Sequence, residues 1–192
     1  MPDIDVRTTY LYDALGNRIQ ETNARGEHIK YEYDALNRLK VMTDSLNHVT
    51  EYDYDALGNR KSRLDATLQQ TNFYYDAASR LTHIDYPAGT EDVYFDYYPM
   101  GQRHTMTDST GVTTYLYDAR YRVTSVNDSL GQIVEYDYDR LGNRTQLIYP
   151  TGQVVTYTYD AANRLDQIIS WDGKLHDYIY DDVNRLKEHH FP

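Results

Sequence analysis

The stretch "YLYDALGNR", residues 10–18, decides the reading of this chain, because it returns as "YEYDALNR" at 31–38 and as "YDYDALGNR" at 52–60. Its second tyrosine recurs at Tyr12, Tyr33, Tyr54, Tyr75, Tyr97, Tyr117, Tyr138, Tyr159 and Tyr180, in steps of 21, 21, 21, 22, 20, 21, 21 and 21. The long and the short step cancel, so a period of 21 is held over nine copies, from about residue 10 to 186 of a single 192-residue domain. A held period of this length predicts a repeat architecture in which each unit buries its apolar face against its neighbours.

Each period contains two turns. Asp13-Ala14-Leu15-Gly16 is followed by Asn23-Ala24-Arg25-Gly26, and Asp34-Ala35-Leu36-Asn37 by Asp44-Ser45-Leu46-Asn47. Asp at the first position suits a type I turn, where its side chain bonds the backbone two residues on, and Gly or Asn at the fourth suits a positive φ. A type I turn followed by a left-handed residue closes a hairpin with a bulge. Between turns lie about six residues of strand character: in "HIKYEY" Ile29, Tyr31 and Tyr33 alternate with Lys30 and Glu32. Alternation with β-branched and aromatic residues predicts half-buried strands. The expected fold is all-β, an antiparallel meander of tandem hairpins, about two strands per repeat, curved or spiralling as an open strip or rolled into a wide hollow barrel.

Two features depart from simple alternation. The arginine stands two residues past the turn glycine in the "GNR" form (Gly16 and Arg18, Gly58 and Arg60, Gly142 and Arg144). It stands one past the turn residue in the "NR" form (Arg38, Arg80, Arg122, Arg164, Arg185). The forms alternate until the last copy, which predicts repeats paired over 42 residues, with the face of each arginine open. In the second strand Leu81 and Ile84, Val123 and Val126, and Leu165 and Ile168 sit three apart. Either a bulge intervenes or both faces carry apolar cover.

Composition narrows the function classes. Nineteen basic against 30 acidic residues give a net charge of −11 with no basic stripe, which disfavours nucleic acid. There is no cysteine, hence no disulfide framework or thiolate metal site. No apolar run approaches the length of a membrane helix, and "MPDIDVRTTY" lacks the charged and apolar regions of a secretory signal. The 22 tyrosines carry enough aromatic surface to argue for a folded chain despite low hydropathy.

The iterated Y-x-Y-D-x-x-(G)-N-R-(L/I) pattern resembles the YD repeat of the bacterial Rhs family, of toxin-complex shell proteins and of teneurins. Copy four has Phe73 for the first tyrosine, and copy five, "FDYYPMGQR", has Tyr98 where Asp is expected. The resemblance implies a long antiparallel strip coiled into a hollow shell. In Rhs and toxin-complex proteins such a shell encloses a toxin; in teneurins a related barrel serves adhesion. It also implies an extracellular or cell-surface location as part of an exported bacterial protein. The family's autoproteolysis segment and variable toxin domain have no counterpart in this sequence, so neither activity is carried over.

No catalytic, metal or cofactor site is expected. The residues singled out are the repeat set: Tyr10, Tyr12, Asp13, Gly16, Arg18; Tyr31, Tyr33, Asp34, Arg38; Tyr52, Tyr54, Asp55, Gly58, Arg60; Tyr136, Tyr138, Asp139, Gly142, Arg144; Tyr157, Tyr159, Asp160, Arg164. The tyrosines read as a ladder packing on neighbouring strands, with a glycan-stacking surface as the alternative. The arginines read as partners of the turn aspartates or as cation–π caps. Calcium binding by the aspartates competes poorly with their turn role. The seven histidines show no ligand spacing, and His189-His190 reads as a disordered tail. The leading function is a non-catalytic scaffold whose partners are an enclosed toxin or cargo polypeptide or neighbouring repeats. The alternatives are a carbohydrate- or cell-surface-binding adhesin and a subunit that polymerises through its sheet edges.

Overall fold

A computed structural model describes residues 7–191; residues 1–6, most of the segment read above for a secretory signal, lie outside it, as does residue 192. The chain divides into two units, one running to Tyr94 and the other starting at Phe95. The first contains β1 (Thr9–Tyr12), β2 (Arg18–Thr22), β3 (His28–Tyr33), β4 (Leu39–Thr43), β5 (Val49–Tyr54), β6 (Arg60–Leu64), β7 (Gln70–Tyr75) and β8 (Leu81–Asp85). Strand β9 (Val93–Tyr97) gives its first two residues to this unit and its last three to the second. The second continues with β10 (Arg103–Asp108), β11 (Gly111–Tyr117), β12 (Val123–Asn127), β13 (Ile133–Tyr138), β14 (Arg144–Ile148), β15 (Val154–Tyr159), β16 (Leu165–Ile169), β17 (Leu175–Tyr180) and β18 (Leu186–His190).

Every described strand is β, and within each unit each strand pairs antiparallel with its neighbours in sequence, as the alternation of turn residues and short apolar-polar runs predicts. In neither unit does a first strand pair with a last among the described registers. The fold is therefore the expected antiparallel meander of tandem hairpins.

One hairpin shows how the period of 21 is built. Asp13 N–H donates to Asn17 C=O at 3.0 Å, Gly16 N–H donates to Asp13 C=O at 3.2 Å, and Gly16 has φ of 84°. That is a type I turn closed by a left-handed residue. The "NR" form is the same turn: Asp34 N–H reaches Arg38 C=O at 2.9 Å, Asn37 N–H reaches Asp34 C=O at 3.0 Å, and Asn37 has φ of 60°. Copy five keeps it without the aspartate, Tyr98 N–H donating to Gln102 C=O and Gly101 N–H to Tyr98 C=O. The shifted arginine therefore reflects no change in loop length. Outside the 22- and 20-residue steps around copy five, the backbone repeats every 21 residues, and only side chains alternate over 42.

The three-residue spacing in the second strand has one cause. Opposite β11, Leu116 faces Ser125 and Tyr117 faces Val123, so Thr124 is the extra residue of a bulge. The bulge brings Val123 opposite Tyr117 and Val126 opposite Tyr115, both on the tyrosine face. The same shift puts Leu81 and Ile84 opposite Tyr75 and Phe73, and Leu165 and Ile168 opposite Tyr159 and Tyr157. Of the two explanations left open by the sequence, the bulge is the one that holds.

The core is thin. Among described residues only Val155, Thr50 and Thr71 are buried, at 8%, 7% and 7% exposure, and no side chain is fully enclosed. Within each unit the tyrosine face is covered sideways, by its neighbours along the sheet. The C-terminal histidines require a correction. His189 and His190 lie in β18, not in a tail, and the His189 ring stacks on Tyr178 at 4.2 Å and 13° and meets the Phe191 ring at 4.0 Å, tilted by 46°. Imidazole faces behave here like the aromatic rungs of other repeats, and that contact orders the strand.

Candidate functional site

The turn aspartate is the centre of every repeat but the fifth, where Tyr98 stands in its place. Asp13 Oδ1 accepts from the backbone N–H of Leu15 at 2.9 Å and of Asn17 at 2.8 Å, and Oδ2 accepts from Asn17 Nδ2 at 3.0 Å. In the "NR" form an arginine takes the place of that asparagine. Asp34 Oδ1 accepts from Leu36 N–H and Arg38 N–H, and Oδ2 from Arg38 Nε and Nη2, both at 2.7 Å. Asp55 and Asp139 repeat the first scheme with Asn59 and Asn143, and Asp118 and Asp160 the second with Arg122 and Arg164. These bonds favour the ionised carboxylate. The asparagine amide holds the acid of Asp13, Asp55 and Asp139 below its ordinary range. The backbone N–H of Arg38 does so for Asp34, that of Arg164 for Asp160, and the guanidinium of Arg122 for Asp118. In the first turn of each repeat that carries the aspartate, the residue after the left-handed position thus fills Oδ2; the arginine partner is the one expected from the sequence, whereas the asparagine's part in the "GNR" form was not read there. The signal available was the constant four-residue step from Asp to Asn or Arg.

The arginines take two places. The "GNR" arginine stands opposite the second tyrosine, Arg18 facing Tyr12 and Arg144 facing Tyr138, and points along the tyrosine face. Arg18 lies 4.8 Å from the centre of the Tyr31 ring and pairs with Glu21 at 3.0 Å. Arg60 lies 4.9 Å over Tyr52, and Arg144 4.5 Å over Tyr157. The "NR" arginine stays on its turn and reaches forward over the second tyrosine of the next repeat: Arg38 over Tyr54 at 4.6 Å, Arg122 over Tyr138 at 4.5 Å, Arg164 over Tyr180 at 4.4 Å.

The second tyrosine completes the interlock. Its hydroxyl donates back to the first backbone carbonyl of the preceding repeat's second strand: Tyr33 to Arg18 at 2.9 Å, Tyr54 to Leu39 at 2.7 Å, Tyr138 to Val123 at 2.8 Å, Tyr159 to Arg144 at 3.0 Å and Tyr180 to Leu165 at 2.9 Å. Burial raises the pKa of Tyr31, Tyr75, Tyr117, Tyr138 and Tyr159, so these phenols hold their protons. Between turns the bond depends on form. After "GNR", Asn17 donates to Asn37 Oδ1 and Asn143 to Asn163 Oδ1. After "NR", where the next turn carries glycine, Arg38 Nη1 donates to Asp55 C=O at 3.3 Å and Arg122 Nη1 to Asp139 C=O at 2.9 Å.

Sequence order hid one further cluster. His83 lies between the Tyr74 and Tyr94 rings, 5.0 and 4.3 Å away and nearly parallel to both, with Nε2 3.0 Å from Asp92 Oδ2. Only the register, Tyr74 opposite His83 and His83 opposite Tyr94, brings them together. Among the described residues no group of three or more His, Asp or Glu is placed to hold a metal ion, and no helix is long and apolar enough to cross a membrane.

Comparison with known proteins agrees with this geometry. The RHS Repeat family pattern matches residues 12–47, 33–69, 54–91, 122–154 and 138–175. No curated protein matches the chain. Among solved structures, TcdB2-TccC3-Cdc42 superposes with a TM-score of 0.67 at 17% identity, over 95% of this chain and 12% of that one. TcdB2-TccC3 without its hypervariable C-terminal region gives 0.60 at 15% identity, over 98% and 15%. The Photorhabdus luminescens Tc holotoxin pore gives 0.59 at 16% identity, over 95% and 13%. At these identities the likeness is one of fold, and this chain spans about an eighth to a seventh of those neighbours' length.

Proposed function

The chain belongs to the RHS repeat family, and from that premise we propose that it is a non-catalytic scaffold, one repeat domain of a shell that encloses a toxin or other cargo polypeptide of an exported bacterial protein. One observation carries this reading. The tyrosines, aspartates, asparagines and arginines of the motif are engaged with each other, so the residues with chemical potential are spent on joining one repeat to the next. A strand meander of this kind grows by adding repeats, which suits a wall. The neighbours of like fold are toxin-complex assemblies, which supports a wall segment over a free-standing module.

Two measurements test it. Native purification followed by protease digestion should leave a second polypeptide intact while the repeats are folded and degrade it once they are unfolded. A glycan array should show no binding. Saturable glycan binding lost on substitution of exposed Tyr74 or Tyr94 would move the assignment to an adhesin.

A further inference from the structure

One cleft in the second unit is lined by the residues that break the motif. Copies five and six carry Tyr98 where the turn aspartate stands elsewhere and Pro99 in a position held mostly by alanine. They also carry Gln102 where other copies have asparagine or arginine, and Tyr121 where others have glycine, asparagine or serine. The fold sets all four around a single cleft of about 520 Å³ between the first turns of these copies, with Met100 and Leu116 beside them. The equivalent cleft between the first turns of copies three and four, within the first unit, is of similar size, about 490 Å³, but has Asn59, Lys61 and Asn72 in its wall. The repeat backbone therefore makes the hollow, and the departures from the motif make this one apolar.

Tyr121 is the departure that works against the fold. It holds φ at 63°, which a bulky residue rarely adopts, and it is 56% exposed. Among the described residues no ring stacks on it and no group bonds its hydroxyl. Neither its backbone nor its contacts within the chain account for a tyrosine there, and strain of this kind persists where a site needs the side chain. Met100 and Leu116 are 69% and 49% exposed, so a continuous apolar wall faces water.

The lining selects the occupant. It holds no free charge, because the Asp118 carboxylate at its margin is filled by Arg122 Nε and Nη2 at 2.7 and 2.6 Å. A sugar needs many hydrogen-bond groups, but the Tyr98 hydroxyl already donates to Tyr115 C=O at 3.4 Å, and its ring is held against His104 and Tyr117. A small molecule is ordinarily enclosed on most sides, whereas Tyr121 and Met100 stand more than half exposed at the mouth. We propose that the cleft takes a leucine or aromatic side chain of a partner polypeptide, whose own backbone covers the open side. Tyr98 and Tyr121 supply rigid aromatic walls, Met100 an adaptable one, and the Gln102 amide bonds the partner's main chain. The site adds a partner to the scaffold without depending on what the scaffold encloses, so its failure leaves that reading standing.

The test is methionine-methyl NMR on the full chain, titrated with synthetic peptides acetyl-Gly-Ser-Xaa-Ser-Xaa-Ser-Gly-amide in which Xaa is leucine, tryptophan, lysine or glutamate. The Met100 methyl signal should shift saturably with the leucine or the tryptophan peptide and stay put with the lysine and glutamate peptides. Met42, which stands opposite Tyr31 in the first unit, should not move with any of them. Tyr121→Asn restores the common turn residue and should weaken peptide binding roughly tenfold while raising the urea midpoint, so lost folding cannot explain lost binding. A Met100 signal unmoved by both apolar peptides, or moved equally by the glutamate peptide, overturns the proposal. So does a lower urea midpoint in Tyr121→Asn, which would make the tyrosine a packing residue of its own turn.

Discussion

At the residue scale the informative groups are those whose partners lie one repeat away. Tyr138→Phe deletes the hydroxyl that reaches the Val123 carbonyl at 2.8 Å and leaves a half-buried acceptor unfilled. It should cost about 1 kcal/mol of unfolding free energy in urea titration. Backbone strain gives a second prediction. Leu68 holds φ at 63° in the turn position taken by glycine or asparagine in most other turns, and it is 79% exposed. A left-handed conformation is costly for a side chain with Cβ, and little packing is lost on removing this one. Leu68→Gly should therefore raise stability by ~0.5–1 kcal/mol, read as a higher urea midpoint. A lower midpoint would mean that the leucine packs more than its exposure implies.

At the scale of the hairpin, a common backbone carries two side-chain schemes. Asn143 fills Asp139 Oδ2 in one, and Arg164 fills Asp160 Oδ2 in the other. Because both loops have the same five-residue closure, the schemes should be exchangeable as a set but not in part. Asn143→Ala strips a partner from Asp139 and should lower the melting temperature. The double variant Asn143→Arg with Arg144→Leu rewrites copy seven in the "NR" form and should melt near the wild type, since "NR" already precedes "NR" where Arg164 caps Tyr180. A double variant as unstable as the single one would show that the alternation of forms is required within the sheet.

For the whole molecule, the repeated aspartates tie stability to pH. The folded pKa of Asp13, Asp34, Asp55, Asp118, Asp139 and Asp160 lies below the ordinary 3.8. A depressed folded pKa means that the unfolded chain binds protons first. The contribution is therefore complete above about pH 4 and is lost as pH falls through the lower folded values. The raised tyrosine pKa values act at the other end: their contribution holds below the ordinary 10.0 and is lost as pH rises through the folded values. Thermal melts should show a broad plateau with a steep fall below about pH 4 and another above about pH 10. Substituting Asp118 and Asp160 by Asn should lower the plateau and flatten the acid limb. An acid limb unchanged in that variant would mean that other carboxylates govern it.

The sequence by itself determined the period, the strand and turn content, the meander and the family. All of these follow from local chemistry: a β-turn needs its Asp and its left-handed residue within four positions, and a strand face shows as alternation. Tyr10, Tyr12, Asp13 and Gly16 were legible for that reason. Which face the arginines take and which residue saturates Asp Oδ2 were decided only in the tertiary structure, as was the place of His83 between two tyrosines. Arg122 reads the same on paper whether it serves Asp118, Tyr138 or neither. A bulge at Thr124 and a neighbouring repeat bring those groups within reach, and pairing across strands is set by a register that one residue can shift.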